Sequence, residues 1–392
     1  MVLIILIFTA FLIFCYCCLL IYYRIGWKAI SDFVPVTKGD EHFNTFITVI
    51  VPVRNEAQNI LSIINAIQNQ EYPSHLFEII IVDDHSTDDT IKLASPFVSE
   101  HLQLISINEQ SDENNFVAYK KRAIEMGIEM AKGALIITTD ADCTMKTTWL
   151  KTIAAYYELY HPEMIVMPVS IKKNDSFLGT FQALDFMSLQ GITAAAVYKK
   201  IHGMCNGANL AYTKKVFYEV NRFKGIDHIA SGDDMLLMHK ISKKYKDRIL
   251  YLKSKEVIVE TQAEKSISDF INQRIRWASK ADKYEDKSLF PVLFLVYLVN
   301  VILLFLLGSL FFGRFIFNIQ HSTFNISKIF LIFLFVKTAA ELLFLYPVSR
   351  FFGNQQMLWL FPLFQPFHIL YTVIAGWFGK FGTYHWKGRK LK

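Results

Sequence analysis

Followed along its apolar positions, the chain has hydrophobic ends around a centre of alternating polarity. Residues 2–23 contain no charged side chain, a run long enough to cross a bilayer as one helix. The run lacks the basic start and small-residue cleavage site of a secretory signal, so a retained anchor is expected. Three further apolar stretches, roughly 289–312, 326–346 and 357–378, follow the centre. Within the centre, 46–53 (FITVIVPV) has the β-branched character of a strand covered on both faces. Residues 56–69 then carry Ile60, Ile63, Ile64 and Ile67 at helical spacing. Strands at 77–82, 102–107 and 134–139 alternate with helices at 87–93 and 115–130. An amphipathic helix at 235–244 and another from about Ser266 come later. That alternation predicts an α/β fold with a parallel sheet and right-handed crossovers. The expected division is an anchor at 1–24, a linker at 25–44, one α/β domain at 45–285, and a C-terminal region at 286–392 with two or three membrane segments and a basic tail.

Composition sharpens this picture. Of 392 residues, 53% are hydrophobic and 15% aromatic, with 34 Phe, too apolar for an ordinary soluble domain. The net charge of +6 is modest and lies largely beside the apolar runs, at Arg24 and Lys28 and at Lys387, Arg389, Lys390 and Lys392. The positive-inside rule puts both flanks, and the central domain with them, on the cytoplasmic side of the cell (inner) membrane. Basic flanks on anionic lipid account for the charge, and no nucleic-acid motif is present. Three full crossings after a cytoplasmic domain would leave the basic tail outside. One C-terminal stretch is therefore expected to be irregular, and the last, interrupted by Pro362 and Pro366, is the candidate. Lys337 and Glu341 form an intramembrane pair at i, i+4, expected to satisfy each other within one helix. Cys15, Cys17 and Cys18 lie in the anchor, while Cys143 and Cys205 stand alone, so neither a disulfide framework nor a cysteine metal site is expected.

The candidate chemistry sits in short motifs just past the strands, where open α/β sheets bind nucleotides. Pro52-Val53-Arg54-Asn55-Glu56 follows the first strand and Val82-Asp83-Asp84-His85-Ser86-Thr87-Asp88 the second. Asp83 and Asp84 can accept hydrogen bonds from a nucleobase or ribose, whereas Ser86, Thr87 and Asp88 read better as a helix start. Asp140-Ala141-Asp142 places two carboxylates where both reach one Mg²⁺ or Mn²⁺ already holding a diphosphate. Gly232-Asp233-Asp234 precedes a helix. One acid suffices for an N-cap, and a second near a reacting sugar carbon can serve as general base. Asp234 is favoured for the base and Asp233 for its support, with the opposite assignment open. Gln273, Arg276 and Trp277 share one helical face, offering an amide, a guanidinium matched to phosphate and a ring that stacks on sugar. A membrane-surface helix with a Trp belt residue is the plainer account of that segment.

These motifs, in this order, resemble the membrane-embedded inverting glycosyltransferases of family two, the group holding cellulose, chitin, hyaluronan and poly-N-acetylglucosamine synthases. The resemblance implies a GT-A fold with flanking transmembrane helices. It implies transfer from a UDP-sugar to a saccharide or lipid-linked acceptor, with Mg²⁺ or Mn²⁺ as cofactor and a membrane partner subunit as a further possibility. By resemblance, Pro52, Asn55 and Glu56 open the nucleotide site, Asp84 holds the nucleoside, and Lys120 is the basic residue near the nucleotide. Asp140 and Asp142 match the metal pair and Asp234 the base. Gln273, Arg276 and Trp277 match the QxxRW motif at the diphosphate and acceptor, and Asn206-Gly207 an acceptor-side loop. The base motif departs from the frequent Glu-Asp, and four apolar stretches make a thin pore for threading a polymer. Two other classes compete. A membrane nucleotidyltransferase would want a Gly-rich triphosphate loop, which is absent. A transporter or pore subunit with a degenerate sugar-binding domain would not need paired carboxylates at strand ends.

Overall fold

The computed structural model describes residues 2–35, 43–107, 118–201, 203–280, 288–316, 326–386 and 389–391. The chain divides into two compact units, one of residues 30–172 and 196–263, the other of residues 1–29, 173–195 and 264–392. The expected domain end at 285, the start of the 115–130 helix, Lys387 and Lys392 lie outside the described residues.

The chain begins with helix α1 (Val2–Ala29), longer than the expected anchor, and the first strand of the unit that starts at residue 30 is β1 (Ile47–Val53). There follow α2 (Ile60–Gln68), β2 (Phe77–Asp83), α3 (Thr90–Ala94), β3 (Leu102–Ser106), α4 (Tyr119–Met130), β4 (Leu135–Thr138) and α5 (Trp149–Tyr160). Beyond them come β5 (Met164–Val166), β6 (Val169–Ile171), α6 (Phe177–Lys199), β7 (Leu210–Thr213), α7 (Lys214–Glu219), α8 (Asp233–Tyr245), β8 (Ile249–Tyr251) and β9 (Val259–Thr261). The remainder is α9 (Ile267–Ala278), α10 (Leu289–Ile316), α11 (Ile326–Phe352), α12 (Phe361–Phe381) and a small hairpin, β10 (Tyr384–Trp386) with β11 (Arg389–Leu391).

Seven strands form the main sheet in the order β3-β2-β1-β4-β7-β5-β8, and β6 pairs with β9 in a second sheet. Strands β1 to β4 are parallel, as their apolar runs predict, and every residue of β2 and β4 is buried. The sheet is mixed rather than wholly parallel, because β7 runs antiparallel between β4 and β5. Ile60, Ile63, Ile64 and Ile67 are all buried, so the helical spacing marked the packed face correctly. The helix nevertheless begins at Ile60, not at 56. The N–H groups of Asn55, Glu56 and Ala57 bond Ser86 Oγ, Thr90 Oγ1 and Asp88 Oδ2, so that stretch is held as a loop. α3 starts at Thr90, not 87, for the same reason, since the Thr87 N–H bonds Asn55 Oδ1.

In the other unit, α1, α10, α11 and the segment Gln355–Phe381 are long and apolar enough to cross a membrane. The last segment opens as a 3-10 turn (Gln355–Leu360), with Pro362 in the first turn of α12, a position proline tolerates, and Pro366 further in. Its irregularity is thus at its start. Lys337 Nζ lies 2.7 Å from Glu341 Oε1, the expected intrahelical pair, but the network extends to two more helices. Gln365 accepts from Lys337 at 2.8 Å and donates to Glu341 at 2.6 Å, and the Tyr16 hydroxyl donates to Glu341 at 2.6 Å. Every member is satisfied internally, the condition under which such groups are tolerated away from water.

Candidate active site

In the main sheet, β2 and β3 lie on one side of β1 and β4 on the other, so the strand order reverses between β1 and β4. Ligands of open α/β sheets bind in the crevice outside the strand ends at such a switch point. The loops after Val53, Asp83 and Thr138 meet there, bringing together the first three motifs.

In the loop after β1, Asn55 adopts φ 55°, in the left-handed region that Asn tolerates. Its side chain accepts from the Thr87 N–H at 2.7 Å, tying the first motif to the second. Glu56 accepts from Asn59 Nδ2 at 2.8 Å, and Pro52 stands in register with Val82. Asp83 and Asp84 of the second motif are buried. Asp83 accepts from the Ser86 N–H at 3.3 Å, whereas Asp84 faces His85 Nδ1 at 2.9 Å and Arg54 Nη1 at 3.5 Å. Asp88 accepts from Ala57 and Thr90 N–H groups, a structural brace, although Asp89 and not Asp88 is the N-cap of α3.

Asp140 and Asp142 follow β4. Asp142 Oδ2 accepts from Thr261 Oγ1 at 2.7 Å, a partner on β9 that no motif announces. Burial pushes the Asp142 carboxyl up, and the carboxylates of Asp140 and Glu56 add to the rise against the Thr261 hydroxyl. Burial also pushes up the Cys143 thiol, consistent with an inert filler. Among the described residues no group of three or more Asp, Glu, His or Cys is arranged to hold a metal ion. Two oxygen donors whose mutual repulsion a cation would relieve fit Mg²⁺ or Mn²⁺, ions that keep water and substrate phosphate in their other positions.

Lys120 links this pair to the next. Its Nζ lies 2.7 Å from Asp140 Oδ1 and 3.6 Å from Asp233 Oδ2. Burial alone would lower its pKa, but Asp140, Asp233 and Asp234 outweigh burial and raise it, so the ammonium persists at every physiological pH. Asp233 and Asp234 do not precede their helix as expected. They occupy the first turn of α8, and Gly232, at φ 79°, is its N-cap. Carboxylates there are favoured by the helix dipole. Asp233 is buried, while Asp234 is half-buried and accepts from the Gly207 N–H at 3.0 Å and the Met235 N–H at 2.7 Å. A Cβ on Gly207 would come within 3.1 Å of Asp233 Oδ2 and 3.6 Å of Lys120 Nζ, so the acid pair and the lysine close around a residue without a side chain. Asn206 Oδ1 accepts from the Ala208 N–H and shapes that turn, and the buried Asn209 bonds Pro168 O, Val257 O and Trp149 Nε1.

Lys121 is a residue that motif reading passes over. Its buried ammonium donates to Ile229 O at 2.5 Å and Ser231 O at 3.0 Å, the carbonyls just before Gly232. Lys121→Met leaves both carbonyls short of a partner. It is expected to cost about 1–3 kcal/mol of stability, read as a lower unfolding midpoint in detergent. An unchanged midpoint would mean that water takes the place of the ammonium.

The other unit holds the fifth motif. Ser266 caps α9 by accepting from the Asp269 N–H. Gln273 donates to Glu264 Oε1 at 2.7 Å. Arg276 and Trp277 are half-buried, and the Trp277 ring lies 6.1 Å from that of Phe186. Arg274, inside the motif but outside the predicted face, is buried and pairs with Asp185.

Two family models match the chain. Glycosyl transferase family 2 matches residues 48–220, and glycosyl transferase family group 2 matches residues 135–378, more than half of the length. The chain belongs to glycosyl transferase family group 2. This family-two glycosyltransferase is 34% identical over 106 residues to glycosyltransferase AglE of Haloferax volcanii, a match covering 27% of the chain and 33% of AglE. The chain thus spans about a third of that relative's length. It is 23% identical over 267 residues to a dolichyl N-acetyl-α-D-glucosaminyl phosphate 3-β-D-2,3-diacetamido-2,3-dideoxy-β-D-glucuronosyltransferase of Methanococcus voltae, covering 64% of the chain and 77% of that protein. Among solved structures, mannosyltransferase PcManGT from Pyrobaculum calidifontis, in complex with GDP-Man and Mn²⁺, superposes with a TM-score of 0.56 at 17% identity. That match covers 96% of this chain and 97% of the other, a likeness of fold.

Proposed function

We propose that this enzyme transfers a sugar, with inversion, from a UDP-sugar to a saccharide or lipid-linked acceptor, with its 45–285 domain at the cytoplasmic face of the cell membrane. The observation that carries the reading is Lys120, whose ammonium bridges Asp140 of the loop after β4 and Asp233 of the first turn of α8. Asn55, Glu56, Asp83 and Asp84 take the nucleoside, and Lys120 takes the diphosphate. Asp140 and Asp142 would hold Mg²⁺ or Mn²⁺, which when bound neutralises the charge on the leaving diphosphate. Asp234, the more accessible acid, accepts the proton of the acceptor hydroxyl as its oxygen bonds to the anomeric carbon, and the bond from that carbon to the diphosphate breaks. Asp233 holds Lys120 in place. On the family resemblance, Gln273, Arg276 and Trp277 serve the diphosphate and acceptor. The Methanococcus relative, named for its action on a dolichyl-phosphate-linked sugar, supports a lipid-linked acceptor. Four candidate spans favour addition of a single sugar over threading of a polymer.

The test is nucleotide release by the detergent-purified protein against a panel of UDP-sugars and GDP-mannose, with Mn²⁺ or EDTA. Polyprenyl phosphate and octyl N-acetylglucosaminide serve as acceptor probes. Release of UDP from one donor with Mn²⁺, abolished by EDTA, with a product one sugar longer than the probe, is the expected result. Release of GDP alone would overturn the donor, and ladders of product would overturn single addition. No release from any donor would favour a transport or pore role.

A further inference from the structure

Arg274 has no place in the face formed by Gln273, Arg276 and Trp277, yet it touches two of those three. Its Nη1 donates to Gln273 Oε1 at 2.8 Å, and its guanidinium lies 4.2 Å from the centre of the Trp277 ring. A second ring neighbour is Phe270, at 4.6 Å. Nη2 donates to Asp185 Oδ2 at 2.7 Å, with both partners buried. The other oxygen of Asp185 accepts from the Tyr371 hydroxyl of α12, and His368 Nε2 lies 4.0 Å from that same oxygen. Three residues earlier on α6, Gln182 donates to Glu264 O at 3.0 Å and accepts from the Glu264 N–H at 2.9 Å. Glu264 in turn fixes the Gln273 amide from the opposite side. One face of α6 therefore sets both ends of the Gln273 side chain and, through a stacked guanidinium, the plane of Trp277.

We infer that Asp185 and Arg274 are positioning residues that orient Gln273 and Trp277 for the acceptor, an inference resting on the role proposed above for that motif. A buried ion pair is a poor way to hold two helices together, because apolar side chains of similar volume do so without desolvating charge. What apolar packing cannot supply is a planar donor that bonds an amide and stacks on an indole at once. Lysine cannot supply it either, since its ammonium is a compact point charge without a flat face.

The experiment compares Asp185→Asn, Arg274→Lys and the double variant Asp185→Leu with Arg274→Met, each as full-length protein in detergent. Donor and acceptor kinetics use whichever of polyprenyl phosphate or octyl N-acetylglucosaminide the wild type accepts. Both single variants should lower kcat/KM for the acceptor about 10²-fold, while the donor KM stays within about twofold of the wild type. The double variant should regain the wild-type unfolding midpoint without regaining acceptor use. Recovery of both would overturn the inference and leave the pair a structural strut, as would equal losses toward donor and acceptor in the single variants. A second measurement needs no turnover. In protein labelled with 5-fluorotryptophan, the Trp277 ¹⁹F resonance, assigned by its loss in Trp277→Phe, should move in Asp185→Asn. A wild type without turnover would sink the functional proposal alone. The resonance would then decide, a shifted line supporting the positioning role of Asp185 and Arg274 and an unshifted one overturning it.

Discussion

Asp142→Asn is expected to remove sugar transfer while making the metal-free protein more stable. Asp142 stands half-buried, and burial with the neighbouring Asp140 and Glu56 carboxylates raises its pKa. An acid whose pKa is higher in the folded than in the unfolded chain adds stability that is fully present below the unfolded value and lost as pH rises through the folded one. At neutral pH the wild type has lost that contribution, and the residual repulsion is what a cation relieves. Asparagine keeps the shape, still accepts the Thr261 hydroxyl, and never ionises. The stability gap between variant and wild type should therefore open as pH rises from the acid range, at about 2–4 °C of unfolding midpoint for each kcal/mol removed. Mn²⁺ should raise the midpoint of the wild type and leave that of the variant where it was. Transfer should fall by on the order of 10²–10³ in kcat, the scale for losing one preorganised stabiliser of transition-state charge. A variant no more stable than wild type at neutral pH would show that Asp142 is not under electrostatic strain, and an unchanged response to Mn²⁺ would remove it from the ion site.

The apolar record of the chain reported the first four main-sheet strands and the four long helices because each is a run with one dominant periodicity. It did not report β5 to β9, which are three or four residues long, too short to show a period. The antiparallel insertion of β7 is equally hidden, since Leu210–Thr213 is buried on both faces whichever way it runs. The acidic motifs were legible because paired carboxylates at strand ends have no cheap structural use. Their partners were not. Thr261, Lys121 and Asp185 act across 119, 110 and 89 residues of sequence, and nothing local distinguishes them from an ordinary strand threonine, helix lysine or helix aspartate. The pair Lys337–Glu341 was found by its spacing, but Gln365 and Tyr16, which complete it, are unremarkable until α1, α11 and α12 come together.

Asp234→Asn is expected to leave donor binding intact and stop transfer. Asp233 and Asp234 are adjacent and chemically identical, and their surroundings separate them. Asp233 is buried and spends its carboxylate on Lys120, 3.6 Å away, so its loss should reach the donor through that lysine. Asp234 is more accessible, and its oxygens are held by the Gly207 and Met235 N–H groups, which orient it without neutralising it. An asparagine keeps one of those two bonds and gives up the other, at a cost of about 1 kcal/mol, too little to unfold the domain. UDP affinity, measured calorimetrically with Mn²⁺ present, should stay within about twofold of the wild type, while kcat falls about 10²–10⁴-fold, the range for losing a general base. In Asp233→Asn the opposite pattern is expected, with weakened donor binding and retained turnover at saturating donor. Full activity in Asp234→Asn together with lost turnover and intact donor binding in Asp233→Asn would exchange the two roles, placing the base on the carboxylate that Lys120 holds.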